Sequence, residues 1–162
     1  MRCCLDYNVI ATGLLAPLLL LALRFLLDLS MAQFFVKYFW WLPVRTLFRD
    51  NPIDLGGVWE QQWGAAGSED FAREIDRHSY TTLRQLGRYC YAEFYSKGVE
   101  YALFGYIKNG YLTGSWYDRT DKYSYFGTFQ FKIVDSRELN GRFLGHSKRS
   151  SEVQQDVWVW IK

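Results

Sequence analysis

Three aromatic residues, Tyr101, Trp116 and Tyr125, share one phase of period-two segments, and four basic residues, Arg88, Arg142, His146 and Lys148, lie in or beside such segments. Flat rings stack on nucleobases, each contact being worth roughly 1–3 kcal/mol. Guanidinium, imidazole and ammonium groups hold phosphates and base edges. Together these residues suit a small ligand with a flat ring and one or two phosphates. The rival reading is that the rings fill a core and the cations are ordinary surface charges. Signatures of other chemistry are missing from the sequence: no Gly-x-Ser-x-Gly, no phosphate-binding Gly-rich loop ahead of a helix, no His-Glu-x-x-His. The carboxylates Glu60, Glu69, Asp70, Glu74 and Asp76 gather near one loop and read as a solvated face. The chain is therefore not expected to be an enzyme. Its histidines are His78 and His146, and its cysteines, Cys3, Cys4 and Cys90, have no repeated spacing, so neither a metal set nor a disulfide framework is expected, and no cofactor.

The elements that must position the three rings are strands. In YSYFGTFQFKIV, Tyr123, Tyr125, Gly127, Phe129, Phe131 and Ile133 fall on one face, and the intervening residues on the other. Tyr101, Leu103, Gly105 and Ile107 alternate in the same way, as do Leu112, Gly114 and Trp116. Such alternation is that of a half-buried strand. Strands are expected at 58–63, 79–86, 88–95, 100–107, 111–117, 123–134, 139–145 and 153–161, with a short helix over 70–76. In QDVWVW both phases are apolar, which predicts cover on each side. Lys97-Gly98 and Asn109-Gly110 are hairpin turn pairs. Eight short strands at even spacing predict a small up-and-down antiparallel barrel, lipocalin- or avidin-like, because closure removes two exposed edges. Glycines at 105, 114, 127, 141 and 145 suit the bends and close approaches of a narrow barrel. Trp59, near the barrel's start, reads as a floor residue.

Aromatics make up 19% of the 162 residues, which fits this all-β reading. The formal net charge of +2 is too small for a face that wraps a DNA or RNA polymer, so no such partner is expected.

Residues 1–50 differ in composition. From Val9 to Leu23 the sequence is almost wholly apolar, and a helix over about 8–29 is long enough to cross a bilayer. Arg24 and Asp28 stand four apart and can pair on one face near a membrane surface. A second run, 31–48, is shorter, carries Lys37 and is dense in Phe, Tyr and Trp. It either returns across the bilayer, as the near absence of a linker favours, or lies in the interface, where Trp40 and Trp41 sit well. Arg24, Asp28 and Lys37 are costly in lipid, which marks them as contacts between protomers or as snorkelling groups. Arg2, Arg45 and Arg49 place the remainder, 51–162, on the cytoplasmic side, and a single reduced Cys90 agrees. Asp50-Asn51-Pro52 breaks the helical pattern and opens the second domain.

Gly57-Val58-Trp59, Gln85-Leu86-Gly87, Leu112-Thr113-Gly114-Ser115-Trp116, Gly127-Thr128-Phe129, Asn140-Gly141-Arg142-Phe143 and Trp158-Val159-Trp160 follow this apolar, aromatic N-terminal region in order. In that order of parts the whole chain resembles the two-transmembrane β-barrel effectors of CBASS, the cyclic-oligonucleotide anti-phage signalling systems of bacteria. The resemblance implies a multi-pass inner-membrane protein with its barrel in the cytoplasm. It implies a cyclic di- or oligonucleotide ligand made by a partner cyclase of the CD-NTase type. It implies that binding drives homo-oligomerisation, with membrane lipid as the target. Arg88, Tyr101, Trp116, Tyr125, Arg142 and His146 are then the candidate ligand contacts. A membrane-anchored carrier of an apolar molecule is the main alternative, and a ligand-free structural subunit a third.

Overall fold

In a computed structural model, the residues described are 17–21, 31–47, 51–65, 73–147 and 153–162. Arg24, Asp28, Lys148 and most of the first expected span lie outside them. The chain forms two compact units, Met1–Phe34 and Phe35–Lys162. In the first, residues 17–21 are helical, with Leu18 to Leu21 exposed.

The second unit is built on a closed barrel of eight antiparallel strands in sequence order, β1 pairing with both β2 and β8. The strands are β1 Gly57–Trp63, β2 His78–Leu86, β3 Tyr89–Ser96, β4 Val99–Lys108, β5 Tyr111–Asp118, β6 Tyr125–Ile133, β7 Glu138–Ser147 and β8 Val153–Ile161. Two turns are dictated by their residues. Lys97-Gly98 and Asn109-Gly110 take φ of 49° and 77°, and of 52° and 78°. Positive φ at both central positions twists a two-residue turn to match its strands. The alternation also holds: Cys90, Ala92 and Phe94 turn inward on β3, and Tyr101, Leu103 and Ile107 on β4.

The lumen is packed with rings. Trp59 and Trp160 lie 6.2 Å apart, Phe131 is 5.6 Å from Trp160, and Trp158 is 5.3 Å from Phe131. Trp158 then reaches Phe94 at 5.6 Å and Phe143 at 5.8 Å. Trp59 is a floor residue, its Nε1 donating to the Leu55 carbonyl at 2.7 Å. The floor is stapled by Gln85. Its Oε1 accepts from the Leu55 N–H at 2.7 Å, and its Nε2 donates to Ile53 O and Gly87 O. Leu55 is thereby fully buried and plugs this end.

Several expectations are corrected. The helix expected over 31–48 covers only Met31–Phe39, here α1, before a turn and a single 3-10 turn at Arg45–Leu47. No helix among the described residues is long and apolar enough to cross a membrane. The compact unit that holds the barrel runs from Phe35 to Lys162, and Val36 packs against Tyr91 and Ala102 on the barrel's outer wall. β6 starts at Tyr125, since Asp121 accepts from the Tyr123 and Ser124 N–H groups and holds them in a turn. Where a short helix is expected over 70–76, the described part is a 3-10 turn at Glu74–Arg77. The outer phase of β8 is not covered among the described residues, Val157 being 46% exposed.

Candidate functional site

Connections of an up-and-down barrel alternate between its two ends. The β1–β2, β3–β4, β5–β6 and β7–β8 connections share the end opposite the Leu55 plug, called the mouth below. Tyr101, Trp116 and Tyr125 all belong to the lumen next to it. Tyr101 and Trp116 meet edge to face with centroids 5.9 Å apart. The Trp116 indole lies in a bay left by two glycines. A Cβ on Gly127 would stand 2.8 Å from its Nε1, and one on Gly145 would stand 2.9 Å from its Cζ2. Trp116 Nε1 is buried there with no hydrogen-bond partner. Burial, and secondarily the negative Asp118, push the Tyr101 hydroxyl up to about 12, so it is a neutral donor at any physiological pH.

Asp118, at the end of β5, is not among the residues that the sequence singles out. It is buried, and its Oδ1 accepts from the Thr120 N–H at 2.7 Å and the Asp121 N–H at 3.2 Å, shaping the β5–β6 loop over the rings. The mouth connections also carry cations: Arg77, Lys97, Arg119 and Lys122. Lys97 faces Asp76 at 3.6 Å, and Lys122 lies over the Tyr117 ring. Arg77 Nε is buried with no partner.

The three expected cationic contacts do not join the rings. Arg88 sits in the β2–β3 turn, at the plugged end, beside a depression of about 530 Å³ that also involves Asn51, Lys108 and Asn109. Arg142 is exposed and lies in register with Gln130 and Val157. His146 packs on Phe126 outside the barrel, at 5.0 Å between centroids. The inward residues of β7 are Leu139, Gly141, Phe143 and Gly145, so positions 142 and 146 take the opposite phase.

A second polar centre lies on the outer wall, and it includes the remaining described candidate. Lys37 of α1 pairs with Glu93 of β3. Glu93 also accepts from the Tyr91 hydroxyl at 2.6 Å and faces Arg119 at 3.2 Å and Arg84 at 3.4 Å. Arg119 in turn pairs with Glu100. Burial alone would raise the Glu93 carboxyl, but hydrogen bonds from Lys37 and Tyr91 and the charges of Lys37 and Arg119 outweigh it and hold it below the usual range. The hub was legible only as an oddity, one carboxylate in the otherwise uncharged strand YCYAEFYS.

This hub predicts a pH dependence with a definite sign. A carboxyl whose folded value is depressed contributes stability that is complete above its unfolded value, near 4.3, and is lost as pH falls toward the lower folded value. Thermal unfolding of the wild type should therefore weaken more steeply below about pH 5 than that of Glu93→Gln. Parallel profiles for the two proteins would remove Glu93 from the account.

Fold and site together define a closed eight-stranded barrel, plugged at one end, with aromatic residues and cations at the other. No protein-family model and no curated protein matches the chain. Among solved structures, it is similar to a redesigned β-barrel, mFAP1, bound to DFHBI, with a TM-score of 0.45 and 9% identity over 65% of this chain and 93% of that one.

Proposed function

We propose that the chain is a membrane effector of anti-phage defence whose barrel binds a cyclic di- or oligonucleotide at its mouth. Binding promotes self-association, and the gathered N-terminal segments disrupt the inner membrane. The observation that carries this reading is the meeting of Tyr101, Trp116 and Tyr125 at the one end whose connections also bear Arg77, Lys97 and Lys122, with Arg119 engaged by Glu93 and Glu100 on the outer wall beside it. Rings for bases and cations for phosphates are what such a ligand needs. A ligand that draws Trp116 out of its glycine bay also satisfies an indole N–H that otherwise has no partner.

The packed line of rings from Trp59 to Trp116 weighs against the apolar-carrier alternative, which needs an open, greasy depth. In this reading the nucleotide sits at the rim rather than deep in the lumen. The copies stay apart until the ligand favours the assembled state. Purified full-length protein in detergent, given a panel of cyclic di- and trinucleotides, should gain thermal stability and sediment faster with one of them. Trp116→Ala should lower the affinity by roughly five- to 150-fold, since a lost stacking contact is worth roughly 1–3 kcal/mol. A panel that leaves both melting and sedimentation unchanged sinks the reading.

A further inference from the structure

The docked end of α1 is turned inside out for a helix in water. Val36 is 1% exposed, and Lys37, the only charged residue of α1, points to the barrel, where Glu93 neutralises it. On and beyond the opposite side, Phe35, Tyr38, Trp40, Trp41 and Leu47 are exposed, by 44%, 55%, 48%, 63% and 80%. A surface helix in water puts its charge outside and its rings inside. This segment does the reverse, and a row of exposed large apolar side chains marks a contact surface.

We infer that this face lies in the interfacial zone of a phospholipid bilayer, and that the Lys37–Glu93 pair fixes the β3 wall of the barrel beside the membrane. Three observations select lipid over a protein partner. Trp and Tyr, with apolar bodies and polar tips, are the residues of the membrane interface. Beyond the helix, residues 40–49 hold Arg45 and Arg49 and no Asp or Glu, and Arg45 stays partly exposed while it faces Asp54 at 3.4 Å, which suits anionic headgroups. The apolar sequence from Val9 to Leu23 stands just upstream in the same chain. With Lys37 withdrawn to the barrel, no charge of α1 has to enter the apolar zone. The placement rests on the membrane reading proposed above, but not on the nucleotide.

The 7 tryptophans make it testable, because Trp40 and Trp41 belong to this face and the other five to the barrel strands. Full-length protein is reconstituted into phosphatidylethanolamine–phosphatidylglycerol vesicles, with and without lipids brominated on the acyl chain near the headgroup. Flotation is scored first, then tryptophan emission. The wild type should float and lose up to roughly two-sevenths of its emission to bromine, the share of two residues among 7. W40F/W41F should float as well and lose almost none. Protein that floats but whose bromine quenching is absent, or is the same in the double variant, overturns the interfacial placement alone, and a second copy then covers the face. Protein that does not float overturns the membrane reading along with it.

Discussion

Trp158→Ala is expected to be the most damaging single substitution in the barrel. Trp158 touches Phe94, Phe129, Phe131, Phe143 and Trp160, with centroids 5.3 to 6.0 Å away. It also donates a hydrogen bond to the fully buried Gln61, from Nε1 to Oε1 at 3.1 Å. Truncating a buried Trp to Ala costs about 3–5 kcal/mol, because the surrounding rings close the void only in part. Gln61 Nε2 already lacks a partner, so the substitution leaves that amide bare at both ends. For a domain of this size the loss should lower the unfolding midpoint by more than about 10 °C. Trp158→Phe keeps most ring contacts and removes the hydrogen bond, and should cost roughly 1–3 kcal/mol. Thermal unfolding in detergent, followed by circular dichroism, separates the two. A cost below about 1 kcal/mol for the alanine variant would mean that the lumen is not the packed core described, since core truncations fall well above that.

The same residue shows why the barrel could be read from the chain. Trp158 and Trp160 are separated by Val159, and period two places both rings on one face whichever face that is. What period two does not reveal at β8 is whether the second phase is covered, so the apolar Val157 is expected to be buried and is in fact exposed. Turn pairs such as Asn109-Gly110 dictate their own geometry, which is why strand ends fell within a residue or two of expectation almost everywhere.

The candidate site was half legible for a related reason. Phase brought Tyr101, Trp116 and Tyr125 together, and the same phase should have set Arg142 and His146 aside, because Phe143 and Gly145 already take the inner positions of β7. Arg88 could have been set aside by counting turns. The β2–β3 turn lies at the end opposite the β3–β4 turn, so a residue at 88 cannot share a rim with Lys97. Nothing local could reveal the Glu93 hub. Its partner Lys37 lies 56 residues upstream, and a carboxylate among aromatics does not say which cation meets it.

Close approach predicts two kinds of glycine, separable by substitution. At Gly98, φ is +77° and an added Cβ meets nothing within 4 Å. Gly98→Ala therefore suffers backbone strain alone, about 1–2 kcal/mol. At Gly127 an added Cβ would stand 1.8 Å from the Leu144 carbonyl oxygen of the paired strand. Two backbones must part to admit it, so Gly127→Ala should cost at least about 3 kcal/mol and disturb the β6–β7 ladder. Gly145 differs again, since the nearest atoms to its added Cβ, at 2.9 and 3.4 Å, belong to the Trp116 ring. Its clash can be relieved by a smaller ring. Gly145→Ala combined with Trp116→Phe should therefore lose less stability than the two single costs together, by about 1 kcal/mol, the coupling expected of side chains in contact. Gly127→Ala combined with Trp116→Phe should show a smaller fraction of its cost recovered, because the backbone clash persists. Equal coupling in the two cycles would place the Trp116 ring elsewhere than in the bay between these glycines, and with it the arrangement of the mouth.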